Sequence, residues 1–259
     1  MTRAPLSVFL IAHNEERNIA RALASVDWAD ERLVVDSGST DRTVELARQA
    51  GARVEQRAWT GSFGEYKEAA LRRCTHRWVL LLDADEEVTP PQRAFIEALL
   101  AADPVDRAVA FRRKTFFGTQ WIRGLGWYPD YVVRLFPQDK GRFSPDRVHE
   151  RVIVDVPVDY RPEAFNHYSY RDEADFRARS ERYAQLWAQT ARAKGKKPAA
   201  WPVLRGWFTF LRCYVLKYGF IDGANGLLLA KLYGEYARRK YELLRSGKIA
   251  APPPGTCAG

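Results

Sequence analysis

The sequence predicts an α/β protein with a mainly parallel central sheet and a C-terminal helical extension. Through the first hundred residues, short apolar runs without charge alternate with amphipathic segments. That is the pattern of strands buried on both faces and of the helices that cover them. From about Ala108 to His167 the texture shifts to aromatics, Arg and Gly in shorter runs, which predicts mixed strands and loops. From Asp175 onward the periodicity is helical and the charge strongly basic.

In chain order, Leu6–Ala12 reads as a strand and Glu15–Val26 as a helix with Ile19, Ala22, Leu23 and Val26 on one face. Leu33–Val35 is a second strand, and Thr40–Ala50 a helix with Ser39 as its N-cap and Gly51 just past its end. Arg53–Gln56 is a third strand, Gly64–Arg73 a helix and Trp78–Leu82 a wholly apolar strand. This order resembles one nucleotide-binding half of a doubly wound, Rossmann-like fold, in which ligands sit beyond the carboxyl ends of the strands. The tail, 250–259, contains three consecutive prolines and is expected to be disordered.

The chain has 259 residues, of which 46% are apolar, enough for one α/β domain with an appendage. Three widely spaced cysteines suggest neither a disulfide framework nor a zinc site and fit a reducing compartment. The N-terminal apolar run is too short for a signal peptide, so a cytoplasmic address is expected. Charge is divided unevenly. Residues 1–175 carry 25 Lys+Arg against 28 Asp+Glu, a net −3, whereas residues 176–259 carry 16 against 4, a net +12. The basic third calls for an acidic partner, either nucleic acid or an anionic membrane surface.

Acidic residues fall where the strands end: Asn14-Glu15 after the first, Asp36 after the second, Asp83-Ala84-Asp85 after Trp78–Leu82. Two carboxylates at i and i+2 leaving a strand point the same way and can face one ligand. Hard oxygen donors of this kind suit Mg²⁺ or Mn²⁺ bridging to a pyrophosphate.

Three ordered segments, Ser7–Glu16, Val34–Asp41 and Leu81–Glu86, resemble the successive motifs of family 2 glycosyltransferases with the GT-A fold, the nucleotide-diphospho-sugar transferase architecture. Arg134-Leu135-Phe136, Val148-His149-Glu150 and Gly219–Gly223 are similar to the lipopolysaccharide core β-1,4-glucosyltransferase branch. The resemblance spans about Leu6 to Leu244 and implies a catalytic domain over 1–172, with a donor half to about 105 and an acceptor half from about 106. A basic amphipathic helical region then occupies 173–249.

The resemblance also implies roles. Ala12, His13, Asn14 and Glu15 line the nucleotide base, and Asp36 accepts a hydrogen bond from it. Within Asp83-Ala84-Asp85, Asp83 holds the ribose or assists the metal and Asp85 ligates the metal at the diphosphate. Lys67 touches the diphosphate. An inverting transfer needs a base within reach of the acceptor hydroxyl. Glu150 is the leading candidate, with Asp130 and Asp146 as competitors, while His149 reaches the metal or orients Glu150. Arg134 is a candidate cation for an anionic acceptor. The implied reaction moves a hexose, glucose from UDP-glucose, onto a lipid-linked saccharide, a heptose of the lipopolysaccharide inner core. A polyprenyl phosphate or a protein is the alternative acceptor.

Trp201 to Tyr241 mixes aromatics and leucines with regularly placed Lys and Arg. No stretch there is long and uncharged enough to span a bilayer, so an interfacial position on the inner face of the cytoplasmic membrane is expected. A nucleic-acid-binding module would leave the acidic strand ends without a purpose, since carboxylates repel phosphate. No nucleic-acid partner is expected.

Overall fold

In the computed structural model, the structure describes residues 3–59, 61–104, 106–144, 150–197 and 201–249. The chain divides into two compact units, Met1–Arg113 with Asp130–His167, and Lys114–Pro129 with Tyr168–Ala258.

The first unit begins with β1 (Leu6–Ala12), α1 (Ile19–Ala24), β2 (Glu31–Asp36), α2 (Thr43–Gln49), β3 (Arg53–Gln56), α3 (Phe63–Leu71) and β4 (Trp78–Leu81). The short β5 (Glu86–Glu87) and α4 (Pro90–Ala102) follow, then β6 (Ala108–Phe117), whose last residues pass into the second unit together with β7 (Gln120–Trp121). Strand β8 (Tyr131–Pro137), the hairpin β9 (Gly141–Phe143) with β10 (Val152–Val154), and the long β11 (Val158–Tyr170) complete the sheet region. The main sheet runs β3-β2-β1-β4-β8-β6-β11-β5. Its first four strands are parallel, and β8 then pairs antiparallel with both β4 and β6.

The uncharged strands of the sequence are explained by burial on both faces. Leu6, Val8, Leu10 and Ala12 of β1 enter one core with Val34, Trp78 and Leu80. The intervening Phe9 enters a second core with Leu33, Val35, Val79 and Leu81. Helices α1, α2 and α4 cover the first face through Ile19, Leu23, Ala47, Ile96 and Leu100. Helix α3 covers the other through Tyr66, Ala70 and Leu71, joined by Phe143 of the small hairpin.

Two local expectations are corrected. The first helix is shorter than Glu15–Val26, because the chain leaving β1 turns sharply at Asn14, whose φ is 57°. Ser39 does not cap α2, whose N-cap position is Arg42. Its hydroxyl instead donates to the Asp36 carboxylate and accepts from the Asn14 N–H, so tertiary partners outcompete the local cap. The 250–259 tail lies outside the described residues.

The second unit holds α5 (Glu173–Ala193), α6 (Pro202–Leu211), two irregular turns over Arg212–Leu216 and Gly219–Asp222, and α7 (Gly223–Ser246). Helices α5 and α7 are joined by Arg177–Glu235 and Arg239–Glu181 ion pairs, the latter at 2.8 Å. Asp222 is buried, and its carboxylate accepts the backbone N–H groups of Arg123 at 2.9 Å and Gly124 at 2.7 Å. At Gly226 a Cβ would run into the Gly219 carbonyl. Gly226→Ala is therefore expected to destabilise this unit by about 1–3 kcal/mol, because backbone cannot yield as a flexible side chain does. Thermal unfolding checks it, and an unchanged midpoint refutes the close approach.

Candidate active site

The parallel strand ends of the first unit carry the site. Beyond β1, the Asn14 side chain accepts the Thr40 N–H at 2.8 Å, and the Glu15 N–H donates to Thr43 Oγ1 at 2.7 Å. Beyond β2, Asp36 is fully buried and accepts the Gly38 and Ser39 N–H groups, each at 3.0 Å. Gly38 has φ of 101°, a conformation that costs glycine little and other residues much. The two loops therefore brace each other. Between them His13 Nδ1 is buried with no hydrogen-bond partner among the described residues, an orphaned polar atom of the kind a ligand satisfies.

Beyond β4 the chain turns at Asp83–Glu86, with the Glu86 N–H donating to the Asp83 carbonyl at 2.9 Å. The turn sends the motif carboxylates to different partners. Asp83 meets Arg134 of β8 and, at 3.1 Å, the Lys67 ammonium of α3. Lys67 also reaches Glu150 at 2.8 Å, so it bridges the donor-side aspartate and the expected base. Arg134 binds Glu86 at 2.6 Å, and Arg113 lies 3.9 Å from the same carboxylate while pairing with Asp130. Asp85 faces His167 of β11, with Oδ2 to Nε2 at 3.4 Å.

Burial opposes the charge of Asp83, but Arg134 and then Lys67 outweigh it and hold the carboxyl well below its ordinary range. Burial likewise works against the Lys67 ammonium, yet Asp83 and Glu150 raise its pKa. Burial also disfavours a charged His167, and the Asp85 carboxylate prevails over it, so the imidazole titrates above its usual value.

Lys67 is thus buried and bridging, not solvated. Arg134 is only 4% exposed and committed to two carboxylates, which removes it as a free cation for an acceptor. Ala84 is buried in the turn. Asp146 and His149 lie outside the described residues. Sequence reasoning missed Glu86, Arg113 and His167. The acid directly after Asp85 was a usable signal for Glu86. His167 had none, because its place opposite Glu86 comes from the β11–β5 register between residues 81 positions apart.

Among the described residues no three His, Cys, Asp or Glu side chains converge on one point as a complete metal cage. Asp85 and His167 nevertheless offer an oxygen and a nitrogen donor side by side, a pair compatible with Mn²⁺ or Mg²⁺ whose other positions are filled by substrate oxygens and water. Around them three cations (Lys67, Arg113, Arg134) stand against five carboxylates (Asp83, Asp85, Glu86, Asp130, Glu150). The cluster carries an excess of carboxylates, a charge that opposes a diphosphate and that a bound divalent cation would offset. The residues fit the group.

A parallel sheet with carboxylates at its strand ends, beside a lysine–glutamate bridge, is a candidate ligand site of an α/β protein. Residues 7–147 match the family model described as Glycosyl transferase family 2, and the chain belongs to that family. It is similar to an uncharacterized glycosyltransferase of Rickettsia felis, with 30% identity over 93% of this chain and 94% of the relative. It is also 30% identical to the lipopolysaccharide core biosynthesis glycosyltransferase LpsC of Rhizobium meliloti, over 91% of this chain and 94% of that one. Among solved structures, Staphylococcus aureus TarS 1–349 aligns over 94% of this chain and 92% of its own, with 15% identity and a TM-score of 0.48. The α/β sheet is the GT-A architecture that the motifs implied.

Proposed function

We propose that the protein is an inverting, metal-dependent hexosyltransferase that moves glucose from UDP-glucose onto a heptose of the lipid-anchored lipopolysaccharide inner core. The observation that carries this reading is the gathering of Asp36, Asp83 and Asp85 at the C-terminal ends of neighbouring parallel strands, where ligands of such sheets bind. The relative from Rhizobium meliloti, named for core biosynthesis, supports the acceptor.

In this reading Ala12–Glu15, with Asp36 beneath, receive the base, and the unpartnered His13 nitrogen finds its partner there. Asp83, kept ionised by Lys67 and Arg134, faces the ribose. Asp85 and His167 would hold a divalent cation, whose chemistry there would be charge neutralisation at the diphosphate leaving group. Glu150 accepts the proton of the acceptor hydroxyl as its oxygen bonds to the anomeric carbon, and the bond to the nucleotide diphosphate breaks on the opposite face. Lys67 keeps Glu150 and the donor-side aspartate in register. Asp130, by contrast, is engaged twice by Arg113, through Nε at 2.8 Å and through Nη2. The enzyme works at the inner face of the cytoplasmic membrane, where such an acceptor is anchored.

Glu150→Gln is expected to lower kcat by roughly 10²–10⁴-fold with little change in donor KM, the cost of losing a general base. Wild-type turnover of that variant assigns the base elsewhere. The activity itself is tested with a panel of nucleotide-sugars, Mn²⁺ or Mg²⁺ and heptose-terminated core lipid. Failure of every donor to transfer sinks the reading, and transfer of another sugar corrects the donor.

A further inference from the structure

Of thirteen large hydrophobic side chains exposed among the described residues, eleven lie within 201–221, on α6 and the irregular turns after it. Helix α6 is built with two different faces. Pro202 and Gly206 are buried, and Gly206 approaches α7 so closely that a Cβ there would sit 2.9 Å from the Gly234 carbonyl oxygen. Val203, Leu204, Trp207, Phe208 and Leu211 recur at helical spacing on the opposite stripe and stand in solvent, with Trp207 and Phe208 each 61% exposed. The stripe continues past the helix in Leu216, Tyr218 and Phe220. The closest contact with α7 is made by Gly206, on the face opposite the apolar stripe. A contiguous patch of this kind marks an interaction surface.

The charges on the same segment indicate what covers it. Residues 201–221 contain Arg205, Arg212 and Lys217 and no aspartate or glutamate. A second copy of this face would bring these cations against their own equivalents with no acid to answer them. An anionic leaflet offers both things the stripe lacks, hydrocarbon for the aromatic and aliphatic side chains and negative headgroups for the cations. Trp and Tyr suit the headgroup level, and Arg and Lys can extend from an apolar surface to reach it. No helix among the described residues is long and apolar enough to cross a membrane, so the segment lies in the interface plane.

We propose that 201–221 is a membrane-docking element, with α6 lying flat in an anionic leaflet and its Trp207–Phe208–Leu211 stripe buried at the acyl boundary. This narrows the docking function from the whole basic third to one helix and its following turns. It rests on the lipid-anchored acceptor for its purpose, though not for its physical basis.

The test is sedimentation of the full chain with phosphatidylcholine vesicles, with and without phosphatidylglycerol, at low and high salt. A variant carrying Trp207→Ser, Phe208→Ser and Leu211→Ser removes the stripe, and Arg212→Glu with Lys217→Glu reverses the charge. The wild type is expected to bind anionic vesicles, and both variants to bind at least about 10-fold more weakly, with thermal midpoints unchanged. Absent wild-type binding, or undiminished binding by the stripe variant, overturns the proposal. So does a wild-type dimer that the stripe variant dissociates. Transfer from the nucleotide-sugar panel to detergent-dispersed core lipid, measured in parallel, separates the two readings. Vesicle binding without transfer from any donor leaves the docking element standing and removes the enzymatic reading, whereas equal transfer in detergent by wild type and stripe variant confines the defect to docking.

Discussion

Asp85→Asn is expected to cut sugar transfer by about 10³-fold, equivalent to roughly 4 kcal/mol of transition-state stabilisation. The side chain keeps its shape and loses only its charge, and that charge is what the site needs. Asp83 pairs with Lys67 and Arg134, while Asp85 stands beside His167, where in the proposed reading the two would hold the cation. Without it the imidazole is the sole protein donor of the pair, and the diphosphate meets a weakly held metal. Stability should barely move, since Asp85 retains 22% side-chain exposure and His167 can shed its proton when its partner is removed. Two measurements check this separately: Mn²⁺ binding by titration calorimetry on the protein alone, and transfer at saturating donor. Unchanged Mn²⁺ affinity would move the metal to residues other than Asp85, and unchanged transfer would remove Asp85 from the chemistry. His167→Ala is expected to weaken Mn²⁺ binding in the same assay, by about 10–100-fold.

Arg134→Met should destabilise the first unit by about 3–5 kcal/mol, the cost of breaking a buried charge pair from one side. Arg134 holds two carboxylates at once, but they do not suffer equally when it goes. Asp83 has 26% side-chain exposure and retains Lys67. Glu86 is 0% exposed and keeps the Asp83 N–H at 3.1 Å but, of its cations, the Arg113 guanidinium at 3.9 Å, so most of the loss falls on Glu86. Arg134→Lys should recover only part of the loss, because the shorter, more strongly hydrated ammonium does not reproduce the position of Nη2, which meets both carboxylates. Adding Glu86→Gln to Arg134→Met should recover more, because the stranded charge is then gone. A double variant no more stable than Arg134→Met refutes this accounting.

The same network sets an acid limit. The folded pKa of Asp83 is depressed, so its contribution is complete above the unfolded value near 3.8, drains away as pH falls from there to the lower folded value and is gone below it. Stability measured from neutral pH down towards the unfolded value should show no loss attributable to Asp83, and Asp83→Asn should flatten the decline below it.

The parallel half of the fold was legible because its physical cause is local. A strand covered on both faces carries no charged side chain, and Leu6–Ala12 and Trp78–Leu81 were read almost to the residue. The acidic strand ends were legible for the same reason, since they sit directly after those runs. Less legible were the helix starts at Ile19 and Thr43, where the Asn14 N–H donates to Ser39 and the Glu15 N–H to Thr43 across loops, and where the N-cap residues Asn18 and Arg42 make no side-chain cap bond.

What the sequence by itself determined was the family, the alternation of strands and helices, and the basic character of the last third. The tertiary structure decided how the site is wired: that Asp83 and Asp85 part company in a turn, that Lys67 bridges Asp83 to Glu150, and that His167 stands beside Asp85. It also decided which side of α6 is spent on packing and which is left to solvent. The division has one physical reason. Burial and helical period are properties of neighbouring residues, whereas a charge pair or a metal site joins side chains that only strand order and register bring within a few ångströms.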